Sequence, residues 1–428
     1  MQPLKSLSLI FLNKDLRRRI LITVALIIIF RLIAQIPLPH VDIAGLRMFF
    51  EQNQVFGLLD MFSGGAVGRF SLALLGVGPY ITASIAFQLL TMLIPQLEAL
   101  QKEGEYGRRK INQYTRLASV PLAFIEGYGL IKLLVSQNVV RIENNWDMFM
   151  VLSIVTASSV LLMWLGEIIS EKGIGNGVSM IIAIGIIAGL PQSIQSLVQV
   201  VAGNPTQIFM ACIYGLIILA MIVVIIWVTL AERRIQVTYA RRVASSRTAS
   251  NVESYLPLKI NAAGVIPIIF ATSILVIPGF LAQLFADARS DWLRSVANTV
   301  SSLINNNYVY ASLFFVLIVA FTFFYVSIIV KPQQIAENLQ KQGSFVPGVR
   351  PGKETANYIH TILYRITSTG ALFLALIAIV PYLLQATTPE FRTIALGGTG
   401  ILIIVSVAIE IMNQIKSQMA TQTYDKFI

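Results

Sequence analysis

The run from Ile208 to Leu230 fixes the class of this protein more firmly than any other stretch, because Tyr214 and Thr229 are its only residues with strongly polar groups. At ~1.5 Å of rise per residue, a helix of that length crosses the ~30 Å hydrocarbon core of a bilayer. Nine further apolar runs can be placed. Ile20–Ile36, Phe70–Ile94, Leu117–Val135, Met148–Ile169 and Val178–Val201 precede it; Ala262–Phe285, Val309–Val330, Ile366–Leu384 and Leu396–Met412 follow it. Of the 428 residues 56% are hydrophobic and only 12% charged, more apolar surface than a soluble domain can hide. The chain reads as a polytopic membrane protein with ten spans and short loops.

A net charge of +11 would suggest nucleic acid in a soluble chain; here it reads as orientation charge. Ten spans put both termini on one side, and 24 of the 32 Lys and Arg residues fall on that side. The loops are short enough for the positive-inside rule, so both termini are expected in the cytoplasm. Lys14, Arg17, Arg18 and Arg19 before Ile20–Ile36 resemble the start of a signal peptide. The chain runs on into Pro37-Leu38-Pro39-His40 without a small-residue cleavage site, so a retained first span is expected. Cys212 is the only cysteine, and His40 and His360 lack ligand-like spacing; neither a disulfide nor a metal or other cofactor is expected.

Between Phe56 and Pro95 the pattern changes. A short apolar segment, Phe56 to Phe62, breaks at Ser63-Gly64-Gly65, and the next run, Phe70–Ile94, carries Gly76, Gly78 and Pro79 inside it. That is the pattern of a re-entrant element. Non-helical backbone at membrane depth is tolerated only against protein or a water-filled cavity, so the chain is expected to enclose one.

Spans 1–5 and 6–10 divide the chain into residues 1–203 and 204–428, and an odd number of crossings turns the second half upside down. Gly76-Val77-Gly78-Pro79-Tyr80-Ile81 and Gly264-Val265-Ile266-Pro267-Ile268-Ile269 share the pattern G-V-x-P-x-I in corresponding helices. Val77 with Ile81, and Val265 with Ile269, then share helix faces at i,i+4. An aliphatic ring would make a dewetting gate, though ordinary helix packing explains the same periodicity.

No Ser/His/Asp set, HExxH or phosphate-cradling loop appears, so catalysis is not expected. Arg31 and Glu126 are the main ionisable residues at depth, with Glu167 and Glu410 nearer the cytoplasmic ends. An ion-coupled secondary transporter would need more of a relay than Glu126. That reading and a membrane scaffold remain the alternatives. The cytoplasmic loops 232–260 and 331–365 are basic and shaped: Arg241, Arg242 and Arg247 lie in the first, and a Pro/Gly frame surrounds Arg350 and Lys353 in the second. Such loops suit an anionic partner, either RNA or an acidic protein face, with membrane lipids competing for the same charge.

Several segments are longer and more specific than these patterns. They are Met61-Phe62-Ser63-Gly64-Gly65, Gly76 to Ile81, Lys102-Glu103-Gly104-Glu105, Gly107 to Ile111, Gln113-Tyr114-Thr115-Arg116, Met163-Trp164-Leu165-Gly166-Glu167, Gly173 to Gly177, Leu256-Pro257-Leu258-Lys259, Gly264 to Pro267 and Phe345 to Gly352. Spread over the whole chain, they resemble in content and order the bacterial SecY family, the pore subunit of the protein-conducting channel.

The resemblance implies an all-α membrane protein, with ten transmembrane helices in two inverted pseudo-symmetric five-helix halves around a central pore. It implies the function too: passing unfolded secretory polypeptides across the plasma (inner) membrane of a bacterium and releasing membrane helices sideways into lipid. The pore ring would map onto Val77, Ile81, Val178, Ile182, Ile269 and Ile403. A plug, about residues 58–67, would include Leu58, Leu59, Asp60, Met61, Phe62, Ser63, Gly64 and Gly65. Spans 2 and 3 facing 7 and 8 would form a lateral gate with Thr82, Gln88 and Thr272. Arg241, Arg242, Arg247, Arg350 and Lys353 would dock the ribosome (rRNA and ribosomal proteins) or the SecA ATPase. SecE and SecG subunits, signal sequences and nascent chains complete the implied partners.

Overall fold

The computed structural model describes residues 14–38, 70–136, 140, 142, 144–203, 207–239, 254–285, 290–387 and 398–425. Ten helices coincide with the ten apolar runs. They are α1 (Lys14–Ile33), α2 (Gly78–Leu93), α4 (Glu105–Ser136), α5 (Asn145–Lys172), α6 (Gly177–Gly203), α7 (Ile208–Leu230), α8 (Ile266–Leu284), α10 (Asn307–Ile329), α12 (Lys353–Thr387) and α13 (Gly398–Asp425). Three more, α3 (Pro95–Lys102), α9 (Asp291–Asn305) and α11 (Pro332–Lys341), lie between them.

Among the described residues seven helices (α4, α5, α6, α7, α10, α12 and α13) are long and apolar enough to cross a membrane on their own. The pair α2 and α3, bent by 100°, would be an eighth. Helix α1 falls short because Lys14, Asp15, Arg17, Arg18, Arg19 and Arg31 dilute it, and the apolar part of α8 is only Ile266–Gly279. The chain is thus a predominantly helical membrane protein.

The run Phe70–Ile94, expected as one span, is not one continuous helix. Residues 70–77 form turns, and Gly76 takes the left-handed conformation at φ 54° before α2 begins at Gly78. Pro79 then fills the first turn, where its missing N–H leaves no helical bond unmade. At the other end the extended residue Ile94 precedes Pro95, as sterics require, and the chain turns into α3. Helix α8 starts the same way: Gly264 is left-handed at φ 64°, two residues before the helix, and Pro267 is its second residue. The G-V-x-P motif is therefore a helix-start motif, used twice with one geometry. Glycine is the residue that enters that region without steric cost.

One hydrophobic core joins most of the helices. Phe30 of α1, Leu162 and Leu165 of α5, Ile182 of α6, Ile225 of α7, Ile269 of α8, Phe314 of α10, Leu374 of α12 and Ile403 of α13 all belong to it. Helix α8 packs against α10 on one side and against α2 and α4 on the other.

Between α7 and α12 the otherwise helical chain carries a small three-stranded sheet that no apolar run marks. Strand β1 (Glu232–Tyr239) pairs antiparallel with β2 (Ser254–Lys259), from Glu232 opposite Lys259 to Val237 opposite Ser254, and with β3 (Ser344–Phe345) on its other side. Ile235 and Val237, two apart, turn inward from β1, and Leu258 does so from β2. Ile235 and Leu258 meet Val346, Ile359 and Leu363 in a separate small core. This alternation was present in the sequence, masked by Arg233, Arg234 and Pro257.

Candidate functional site: an aliphatic seam at a mixed cavity

A cavity of about 860 Å³ opens between α2, α4, α5, α6, α8 and α10. Ile81, Val178, Ile182 and Ile269 form part of its lining. All six aliphatic residues singled out in the sequence share one hydrophobic cluster: Val77, Ile182, Ile269 and Ile403 are buried in it, while Ile81 and Val178 pack against it half-buried. Val77 and Ile403 belong to the cluster without lining the cavity.

Helix starts place three of these side chains. Ile81 and Ile269 each stand in the first turn after a left-handed glycine, their N–H groups bonded to Val77 O (3.1 Å) and Val265 O (3.3 Å). Val178 follows the sharp 173–177 turn, which is tied on several sides. Ser170 Oγ accepts from Gly177 N (2.8 Å) and donates to Gly166 O (2.9 Å). Asn176 Oδ1 accepts from Ser179 N (3.2 Å), capping α6, and Gly175 N donates to Gln414 Oε1 of α13. A Cβ on Gly177 would lie 1.8 Å from Gly166 O, and one on Gly173 would lie 2.4 Å from Thr23 Oγ1 of α1. Glycine is obligatory at both positions because backbone or another helix occupies the space.

The rest of the cavity wall mixes polar side chains with apolar ones, the latter including Trp164, Ile168, Ile266 and Phe270. Arg116 of α4 forms an ion pair with Glu167 of α5, and Asn112, one turn before Arg116, lines the cavity with them. Gln88 Nε2 donates to Ser84 Oγ (3.2 Å), and both residues face the cavity. Arg116 and Glu167 stand in the Gln113–Arg116 and Met163–Glu167 motifs, which by themselves assign them no role. The i,i+4 spacing of Asn112 and Arg116 was the available signal. A compartment with an aliphatic seam and a mixed polar wall contains donors and acceptors of both signs, and so does not select for one solute chemistry.

The remaining expected residues fall as follows. Thr82 Oγ1 donates to Gly78 O (3.2 Å) and lies within hydrogen-bonding reach of Glu126 on α4. Thr272 is buried, its hydroxyl donating to Ile269 O (2.8 Å). Of the three gate residues only Gln88 lines the cavity. Arg350 and Lys353 are exposed beside the small sheet. Gly348 and Gly352 flank Arg350 with φ of 80° and 101°, its carbonyl accepts from Thr355 Oγ1 (2.8 Å), and Val346 and Val349 pin the loop to the small core. The plug residues 58–65 and Arg241, Arg242 and Arg247 lie outside the described residues.

The family model for SecY matches residues 71–412. The chain belongs to the SecY family. A protein translocase subunit SecY from Streptomyces galbus is 40% identical, over 98% of this chain and 98% of its own length. Among solved structures the fold is similar to a SecY translocation channel whose plug domain stabilises the closed state and maintains a membrane seal. That match has a TM-score of 0.65 at 19% identity, over 94% of this chain and 92% of that one. It is also similar to Sec61 in the canine ribosome–channel complex from the endoplasmic reticulum, with a TM-score of 0.63 at 19% identity and the same coverage. SecY proteins are translocation channels and not enzymes, so this chain is a subunit of a protein-conducting channel.

Proposed function

We propose that unfolded secretory polypeptides cross a bacterial plasma membrane through the seam formed by Val77, Ile81, Val178, Ile182, Ile269 and Ile403. The observation that supports this is their convergence in one cluster, with four of them lining the cavity. A translocating chain presents every kind of side chain, so its conduit does best with compliant aliphatic contacts that hold water and ions back without fixed hydrogen bonds. In the reading proposed, α1 and α8 cross as well, giving ten spans in two inverted halves, residues 1–203 and 204–428, with both termini cytoplasmic. The matched helix starts at Gly76 and Gly264 support the repeat.

Helices α2 and α4 pack against α8, and the lateral gate of this reading lies there, with Thr82, Gln88 and Thr272. Parting there would let an apolar segment leave for lipid, whereas a charge at the centre of such a segment costs ~2.5–3.5 kcal/mol on insertion scales and disfavours exit. Residues 58–65 act as the plug. The basic loops, with Arg241, Arg242, Arg247, Arg350 and Lys353, dock the ribosome or the SecA ATPase, and SecE and SecG complete the channel. Direction comes from the docked partner.

Reconstitution tests the reading. The chain with its partner subunits in liposomes, given the motor and ATP, should make an unfolded secretory protein resistant to added protease. If the substrate stays fully digestible while the complex is intact and inserted, the conducting role is wrong.

A further inference from the structure

Helix α9 packs on both α8 and α10 and is strongly amphipathic. At 100° per residue, Trp292, Leu293, Val296, Ala297, Val300, Leu303 and Ile304 fill one arc, while Asp291, Arg294, Ser295, Asn298 and Ser302 fill the opposite one. The apolar arc is wider than the neighbouring helices cover. Ala297 and Ile304 are buried, but Trp292, Val296 and Leu303, which share the flank of the arc, are 70%, 44% and 49% exposed. The helix ends on either side expose apolar groups too: Ile277 and Leu281 on α8, Tyr308 and Leu313 on α10. On the polar side Arg294 pairs with Asp291 at 3.1 Å.

We propose that α9 is a lipid-binding interfacial helix, with the Trp292–Val296–Leu303 stripe sunk among acyl chains at a membrane–water boundary and the Asp291–Arg294 side in water. Fifteen residues with that polar face are too short and too polar to span. Lipid is the occupant because the adjoining ends of α8 and α10, on which α9 packs, also expose apolar side chains, and these helices belong to a membrane protein. An amphipathic helix with a tryptophan at its edge is the element that settles in the boundary layer. So placed, α9 holds the adjoining ends of α8 and α10 at one depth. The assignment does not depend on the cavity conducting polypeptide.

The test uses the full chain in phosphatidylethanolamine–phosphatidylglycerol vesicles, with the exposed Cys212 of α7 removed as Cys212→Ala. Nitroxide labels are placed one at a time at Val296→Cys, Leu303→Cys, Arg294→Cys and Asn298→Cys. Labels at 296 and 303 should favour collisions with oxygen over a water-soluble nickel complex several-fold more than labels at 294 and 298, at a depth of ~5–10 Å. Nickel-dominated collisions at all four sites would overturn the proposal. So would immobilised labels at 296 and 303 reached by neither reagent, which would mean that a partner subunit or a second copy covers the stripe. A second readout needs no label: brominated acyl chains should quench the fluorescence that Trp292→Phe removes, and absence of that quenching would contradict lipid contact.

Discussion

The Ser159 hydroxyl of α5 donates to the Gly76 carbonyl at 3.0 Å, and both residues are buried. The bond joins the middle of one long helix to the left-handed turn from which α2 starts. Lipid offers no partner to such a carbonyl, so protein supplies one. Ser159→Ala should therefore cost about 1–3 kcal/mol, the usual penalty for orphaning a buried acceptor. Thermal unfolding of the purified protein in detergent measures this, and a melting curve overlaying the parent's would mean the carbonyl is satisfied in another way.

Gly264 provides a test of conformation alone. A Cβ there meets nothing within 4 Å, so any effect of Gly264→Ala comes from its φ of 64°. A loss of about 1–2 kcal/mol is expected from the left-handed backbone. Gly215, inside α7 with equally open surroundings, should accept alanine without loss. Equal melting temperatures for the two variants would refute the helix-start account.

Much of this architecture was legible in the chain. Apolar length located the ten helices that coincide with the apolar runs, seven of which are long and apolar enough to cross a membrane on their own among the described residues. The repeat of Gly76–Ile81 at Gly264–Ile269 pointed to equivalent elements. The motif's meaning was harder to read. Glycine and proline within a long apolar run suggest a hinge, and only the backbone angles show that they begin a helix. The Arg116–Glu167 pair was hidden because its members are 51 residues apart in sequence, on separate helices. The sheet was hidden because two arginines and a proline interrupt the alternation of Ile235, Val237, Leu256 and Leu258.

Replacing two of the cavity-lining aliphatics should let water into the seam. Ile81→Ser combined with Ile182→Ser adds two hydroxyls where Ile182 is fully buried and Ile81 half-buried. Single-channel recording from planar bilayers should show raised ion conductance at rest. Conductance equal to that of the parent would remove these residues from the barrier.

Arg350 stands exposed on a loop fixed by two left-handed glycines and by Thr355, a shaped presentation that a mere orientation charge does not need. Arg350→Glu should cripple partner-driven transport, by tenfold or more if a desolvated ion pair worth at least ~1.4 kcal/mol is lost. Membrane insertion of the protein and its melting temperature should stay unchanged, because the side chain contributes nothing to the small core. Transport at the parental rate would place docking elsewhere.

The most direct test of the central claim is site-specific photocrosslinking from positions 81 and 269 to a secretory chain stalled part-way through. If the aliphatic seam is the conduit, both positions should label the stalled polypeptide, and labelling should cease when the chain is released. Labelling confined to lipid, with none of the stalled polypeptide from either position, would contradict the account.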